Sequence, residues 1–130
     1  MRNRSLELTR RGRAFKLWLT IRAYGLDTFA QAVHRGIALA KYAQHVIEEH
    51  ERLEIVTPAQ LGIVTCAGRQ ANDADHSRAV ARLTADGYGA ASSTVLKGRT
   101  ALRLCTINPR TTTQDIDGTI GRLADYLTIP

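Results

Sequence analysis

The chain has 130 residues, 44% hydrophobic and 23% charged, which suits one globular domain with a modest core and leaves no room for a second independent one. Its net charge of +6, from 18 Lys and Arg against 12 Asp and Glu, raises the possibility of an anionic partner. The most apolar run, Ile37 to Val46, is broken by Lys41, Gln44 and His45, so nothing approaches the roughly 20 apolar residues of a membrane span.

The start, Met1-Arg-Asn-Arg-Ser-Leu-Glu-Leu, carries no apolar signal core, and the cytoplasm is the expected location. Arg2, Arg4, Arg10, Arg11, Arg13, Lys16 and Arg22 crowd the beginning of the chain, but Phe15, Trp18, Leu19 and Ile21 are interleaved with them. The basic residues therefore read as a solvated helix face, or one buried against another domain, and not as a nucleic-acid surface. Apolar spacing predicts a helix from Ala14 to Tyr24, ended by Gly25. A second follows from Asp27, a candidate N-cap, to about His50, with Phe29, Val33, Ile37, Ala40 and Ile47 on one face.

Leu53 to Val56 and Leu61 to Cys66 read as strands joined across Pro58, whose missing N–H makes a continuous helix untenable. Arg69 to Asp75 reads as a polar loop, and Ser77 to Ala85 as a short helix stopped by Gly87 and Gly89. Ala90 to Leu96 and Ala101 to Ile107 form a hairpin around Lys97-Gly98-Arg99. Pro109 breaks the strand, and Thr112 with Asp115 opens a last helix carrying Ile116, Ile120, Leu123 and Leu127 on one face. That order predicts an α/β sandwich of two layers, a sheet of about four antiparallel or mixed strands covered by helices.

Several residues invite a chemical reading that their surroundings do not support. Cys66 and Cys105 lie in apolar, strand-like segments without close Cys or His partners, and read as reduced, buried thiols. His34, His45, His50 and His76 share no spacing that would assemble a zinc site, so no metal is expected. Ser92-Ser93-Thr94 lacks a Gly-x-Ser-x-Gly elbow and reads as a strand edge. Arg103 differs. Strand alternation sets it with Ala101, Cys105 and Ile107, opposite Leu102, Leu104 and Thr106, a lone cation on a largely apolar strand whose guanidinium wants an anion.

Two segments, Arg10-Arg-Gly-Arg-Ala-Phe-Lys-Leu-Trp-Leu-Thr-Ile-Arg-Ala-Tyr-Gly25 and Ala101-Leu-Arg-Leu-Cys-Thr-Ile-Asn-Pro-Arg-Thr-Thr-Thr-Gln-Asp-Ile116, together resemble the C-terminal region of the pyridoxal-phosphate-dependent (group II) amino-acid decarboxylases. That family contains the aromatic-amino-acid, tyrosine and glutamate decarboxylases. Leu53-Glu-Ile-Val-Thr-Pro-Ala-Gln-Leu and Val95-Leu-Lys-Gly-Arg-Thr-Ala-Leu-Arg are similar to segments found there in the same order. Gly12 departs from the pattern, where many relatives carry a bulky residue. The resemblance implies the small domain of fold-type I pyridoxal-phosphate enzymes, a short sheet packed under helices. Residues 1–25 would then be a connecting helix toward a large domain, and residues 26–130 the small C-terminal α/β domain.

The family's chemistry needs a lysine that holds the cofactor, and in relatives that lysine follows a histidine. Lys16, Lys41 and Lys97 are the only lysines here, and none follows a histidine. The resemblance thus implies a fragment of a decarboxylase, with no catalytic residue of its own and inactive alone. Pyridoxal phosphate would serve the intact enzyme and bind this chain weakly. Its partners would be a large cofactor-binding domain or chain, an amino-acid substrate and a second copy in a homodimer. Arg103 matches the family position where an arginine approaches the substrate carboxylate, to which a planar fork of donors is suited. Arg11, Arg13 and Arg110 also match family positions and read as structural, Arg110 pinning the turn after Pro109. Two other readings stay open: a stand-alone basic α/β module binding nucleic acid or a small anion, and a structural partner completing a decarboxylase encoded on another chain.

Overall fold

The apolar spacing of the first half becomes two helices in a computed structural model that describes residues 13–128. Helix α1 (Arg13–Tyr24) and helix α2 (Leu26–Glu49) meet at Gly25, whose φ of 83° is left-handed and whose N–H donates to the Ile21 carbonyl at 2.8 Å. Because α2 already begins at Leu26, Asp27 lies in its first turn and does not cap it; the carboxylate there still favours the helix dipole. The chain divides into two compact units, Met1–Ala32 and Val33–Pro130, with the boundary inside α2.

The second unit continues with β1 (Leu53–Gln60), β2 (Ile63–Gly68), α3 (Asp73–Asp86), β3 (Ser92–Leu96), β4 (Arg99–Cys105) and α4 (Thr113–Tyr126). The four strands form one antiparallel sheet in the order β1-β2-β4-β3. Leu53, Val64, Cys66, Leu102 and Leu104 from one sheet face pack with Leu39, Ala43 and Ile47 of α2, Ala79 and Leu83 of α3, and Ile116, Ile120 and Leu123 of α4. This is the expected two-layer α/β arrangement. Each large aliphatic buried in that layer contributes about 1.5–3 kcal/mol relative to its exposed state.

Local differences from the sequence reading have local causes. Strand β1 runs on through Pro58 because β1 is a sheet edge and its pairing with β2 is shifted between Ile55 and Thr57 and again before Gln60. In that irregular stretch the Thr57 N–H donates to the Thr65 hydroxyl and the Ala59 N–H to Gln44 Oε1 of α2. Helix α3 starts at Asp73, four residues before Ser77, because Asn72 and Asp75 form a reciprocal capping box inside the polar run read as a loop. The β3–β4 turn is the pair Lys97 and Gly98, both with positive φ (51° and 78°), between the paired Leu96 and Arg99, the conformation of a type I′ hairpin.

The end of β4 is held against α2. Thr106 Oγ1 donates to the Gly36 carbonyl at 2.7 Å, and a methyl at Gly36 would sit 3.2 Å from the Thr106 carbonyl oxygen. Beyond it, the Arg35 guanidinium donates to the Thr111 carbonyl at 3.2 Å and ties the loop to α2, and the Arg110 side chain is exposed. Thr112 and Asp115 cap α4 reciprocally, as their spacing predicts.

Candidate functional site

Antiparallel register sorts the strand residues into rows, and side chains of paired residues share a face. On the face opposite the helices of this unit, one row runs Thr57, Thr65, Arg103, Ser92 across all four strands. The next row on one side pairs Ile63 with Cys105, and on the other Glu54 with Ala67 on the β1–β2 side. Helices α2, α3 and α4 bury their apolar residues against the other face; on this one Arg103 and Cys105 are exposed, while Thr65, Ala67 and Ala101 are buried.

Arg103 is exposed in the middle of its row. Among the described residues it forms no ion pair: Glu54, the acid on the same face, is taken by Arg99 at 3.2 Å. Thr65 is 4% exposed, and its hydroxyl accepts the Thr57 N–H at 3.0 Å and meets the Thr57 hydroxyl at 2.6 Å. The guanidinium therefore has a spent hydroxyl on one side and Ser92 on the other. Such a fork of donors is built for a planar anion such as a carboxylate.

The remaining sequence candidates lie elsewhere or are spent on structure. Arg11 lies outside the described residues, and of Arg13 only the helical backbone is described. Cys105 is exposed beside Arg103 on β4 and not buried, a correction whose cause is the strand period: the apolar neighbours that suggest burial point the other way. Cys66 points into the core, where burial pushes its thiol up to about 12. His76, unremarkable in sequence, is 1% exposed and joins α3 to β2: Nε2 accepts the Gly68 N–H at 3.0 Å, which leaves the ring proton on Nδ1 to donate to the Asn72 carbonyl at 2.7 Å. No group of three metal-binding side chains occurs among the described residues.

Two clefts among the described residues are both lined without Arg103. One of about 370 Å³ lies between Arg69 at the end of β2 and Leu127 after α4, where Arg52 is already paired with Asp125 at 2.9 Å. The other, of about 290 Å³, lies between the end of β4 and the start of α4. Neither holds a lysine. Lys16, Lys41 and Lys97 are all exposed, Lys97 at a hairpin tip.

Residues 1–67 match the model of the pyridoxal-dependent decarboxylase conserved domain. The chain is 39% identical over 118 residues to an aromatic-L-amino-acid decarboxylase of Bacillus atrophaeus, covering 85% of this chain and 25% of that protein. It is 30% identical over 130 residues to tryptophan decarboxylase 2 of Oryza sativa subsp. japonica, covering 95% of this chain and 26% of that protein. The crystal structure of Oryza sativa TDC with PLP and tryptamine superposes with a TM-score of 0.77 at 22% identity, over 92% of this chain and 27% of that one. The chain thus spans about a quarter of the length of the relatives it matches.

Proposed function

Because this chain belongs to the pyridoxal-phosphate-dependent amino-acid decarboxylase family, we propose that it forms the C-terminal small domain of such an enzyme and that Arg103 presents its guanidinium to the substrate's carboxylate. The observation that carries the proposal is an exposed arginine on the sheet face opposite the helices of its unit, with no carboxylate partner among the described residues. The charge distribution also favours it over a nucleic-acid module. Arg52, Arg78, Arg99 and Arg122 are each paired with an acid, which breaks up any continuous basic stripe.

In this reading the chain orients and does not react. The cofactor supplies the electron sink for the bond that breaks, and it is held by a part of the enzyme other than these residues. Arg103, from β4, grips the carboxylate by two parallel N–H bonds and fixes the direction in which carbon dioxide leaves. The β3–β4 turn and the sheet pairing on both sides of β4 keep that strand rigid, so the guanidinium starts from a fixed base.

Replacing Arg103 by lysine keeps the charge and loses the fork. In the pyridoxal-phosphate-loaded enzyme carrying this chain, Arg103→Lys lowers kcat/KM about ten- to hundredfold, the loss of a charge-assisted hydrogen bond. The cofactor absorbance stays unchanged, since this strand holds no part of the cofactor. Full efficiency in the variant would make Arg103 structural.

A further inference from the structure

We infer that the Ser92 hydroxyl is a second donor to the substrate carboxylate, standing beside Arg103; this rests on the assignment of Arg103 to that carboxylate. Ser92 is the direct register partner of Arg103 on the neighbouring strand, and paired residues on one face keep their Cβ atoms about 4.5–5.5 Å apart. With the Arg103 side chain turned across the sheet toward β3, a carboxylate held by its guanidinium comes within reach of the serine hydroxyl. The opposite neighbour, Thr65, cannot serve, because its hydroxyl is engaged by Thr57 and buried. Ser92 has no side-chain hydrogen bond among the described residues and is half-buried, so its hydroxyl is available and only partly hydrated.

The location on β3 matters as well. That strand is the sheet edge and is tied to β4 by the two-residue turn at Lys97 and Gly98, which sets the register that brings position 92 opposite position 103. A hydroxyl on one strand and a guanidinium on the next give donors from two directions. An arginine alone fixes the plane of a carboxylate. A second donor also limits sliding along that plane, which selects for ligands bearing the carboxylate over otherwise identical ones without it.

The test compares two ligands on the pyridoxal-phosphate-loaded enzyme carrying this chain. One is whichever of tyrosine, phenylalanine, tryptophan or glutamate is turned over fastest, and the other is its amine product, which lacks the carboxylate. Dissociation constants are read from cofactor absorbance on rapid mixing. Ser92→Ala weakens binding of the amino acid about tenfold, the loss of one hydrogen bond to a charged group, and leaves the amine unchanged. Ser92→Thr, which retains the hydroxyl and suits an edge strand, restores most of the affinity. If Ser92→Ala binds the amino acid normally while Arg103→Lys does not, Ser92 is only an edge residue and the Arg103 assignment stands. Normal binding by both variants overturns that assignment itself, and equal weakening toward both ligands marks a packing effect that overturns the role of Ser92.

Discussion

The two thiols of this chain sit in opposite environments on neighbouring strands. Cys66 is buried in the core with its thiol pushed up to about 12, whereas Cys105 is exposed on the face that carries Arg103. The thiolate is the reacting form, so a disulfide reagent at neutral pH should modify one thiol per chain quickly, and Cys105→Ser should remove that fast phase. Two fast thiols would contradict the placement of Cys66. The strand period already groups Arg103, Cys105 and Ile107, and the structure leaves all three exposed. Ala101 shares their alternation yet is 1% exposed, which the alternation alone does not foretell. Ser92 was legible only as a strand residue. Its position opposite Arg103 depends on pairing register, which a single strand's sequence does not contain.

Elements were legible where one local rule acts alone. The Thr112 and Asp115 cap of α4 stands directly before an apolar run and is read without difficulty, while the same device at Asn72 and Asp75 is hidden in a polar stretch. Pro58 argues against a central strand, and the sequence holds no sign that β1 is an edge. These caps and ties give the fold an acid limit. The Thr112 N–H and hydroxyl hold the Asp115 carboxyl below its usual value of 3.8, and the Arg122 guanidinium and Tyr126 hydroxyl do the same for Asp86, joining α3 to α4. Groups lowered in the folded state stabilise it above their unfolded pKa, and that contribution is lost as pH falls through the folded value. Denaturant unfolding should therefore show stability dropping below about pH 4, and Asp115→Asn should flatten that fall. An equally steep acid limb in the variant would remove the Asp115 cap from the explanation.

At the scale of the molecule, the two-layer fold follows both from the order of elements and from the family resemblance, and the superposition at a TM-score of 0.77 agrees with both. Unlike a helix with one apolar stripe, α1 carries Phe15, Leu17, Trp18 and Leu19 on more than one side, at 62%, 49%, 56% and 45% exposure. Phe15 stacks on Trp18 with ring centroids 6.0 Å apart, and Arg22 lies over the Trp18 ring. Apolar exposure of this kind drives association, so sedimentation at tens of micromolar should give a dimer or larger species, against which a strict monomer would count. The chain spans about a quarter of its relatives' length, so the parts of those proteins that lie beyond it are not legible from these residues. In the proposed reading these residues orient a substrate and do not perform the chemistry. It is tested by supplying the chain with pyridoxal phosphate and carboxyl-labelled tyrosine, phenylalanine, tryptophan or glutamate, counting the labelled carbon dioxide, and reducing with borohydride to trap any lysine-bound cofactor. No release above that of free cofactor and no stoichiometric trap are expected; turnover with the cofactor fixed to Lys16, Lys41 or Lys97 would contradict that reading.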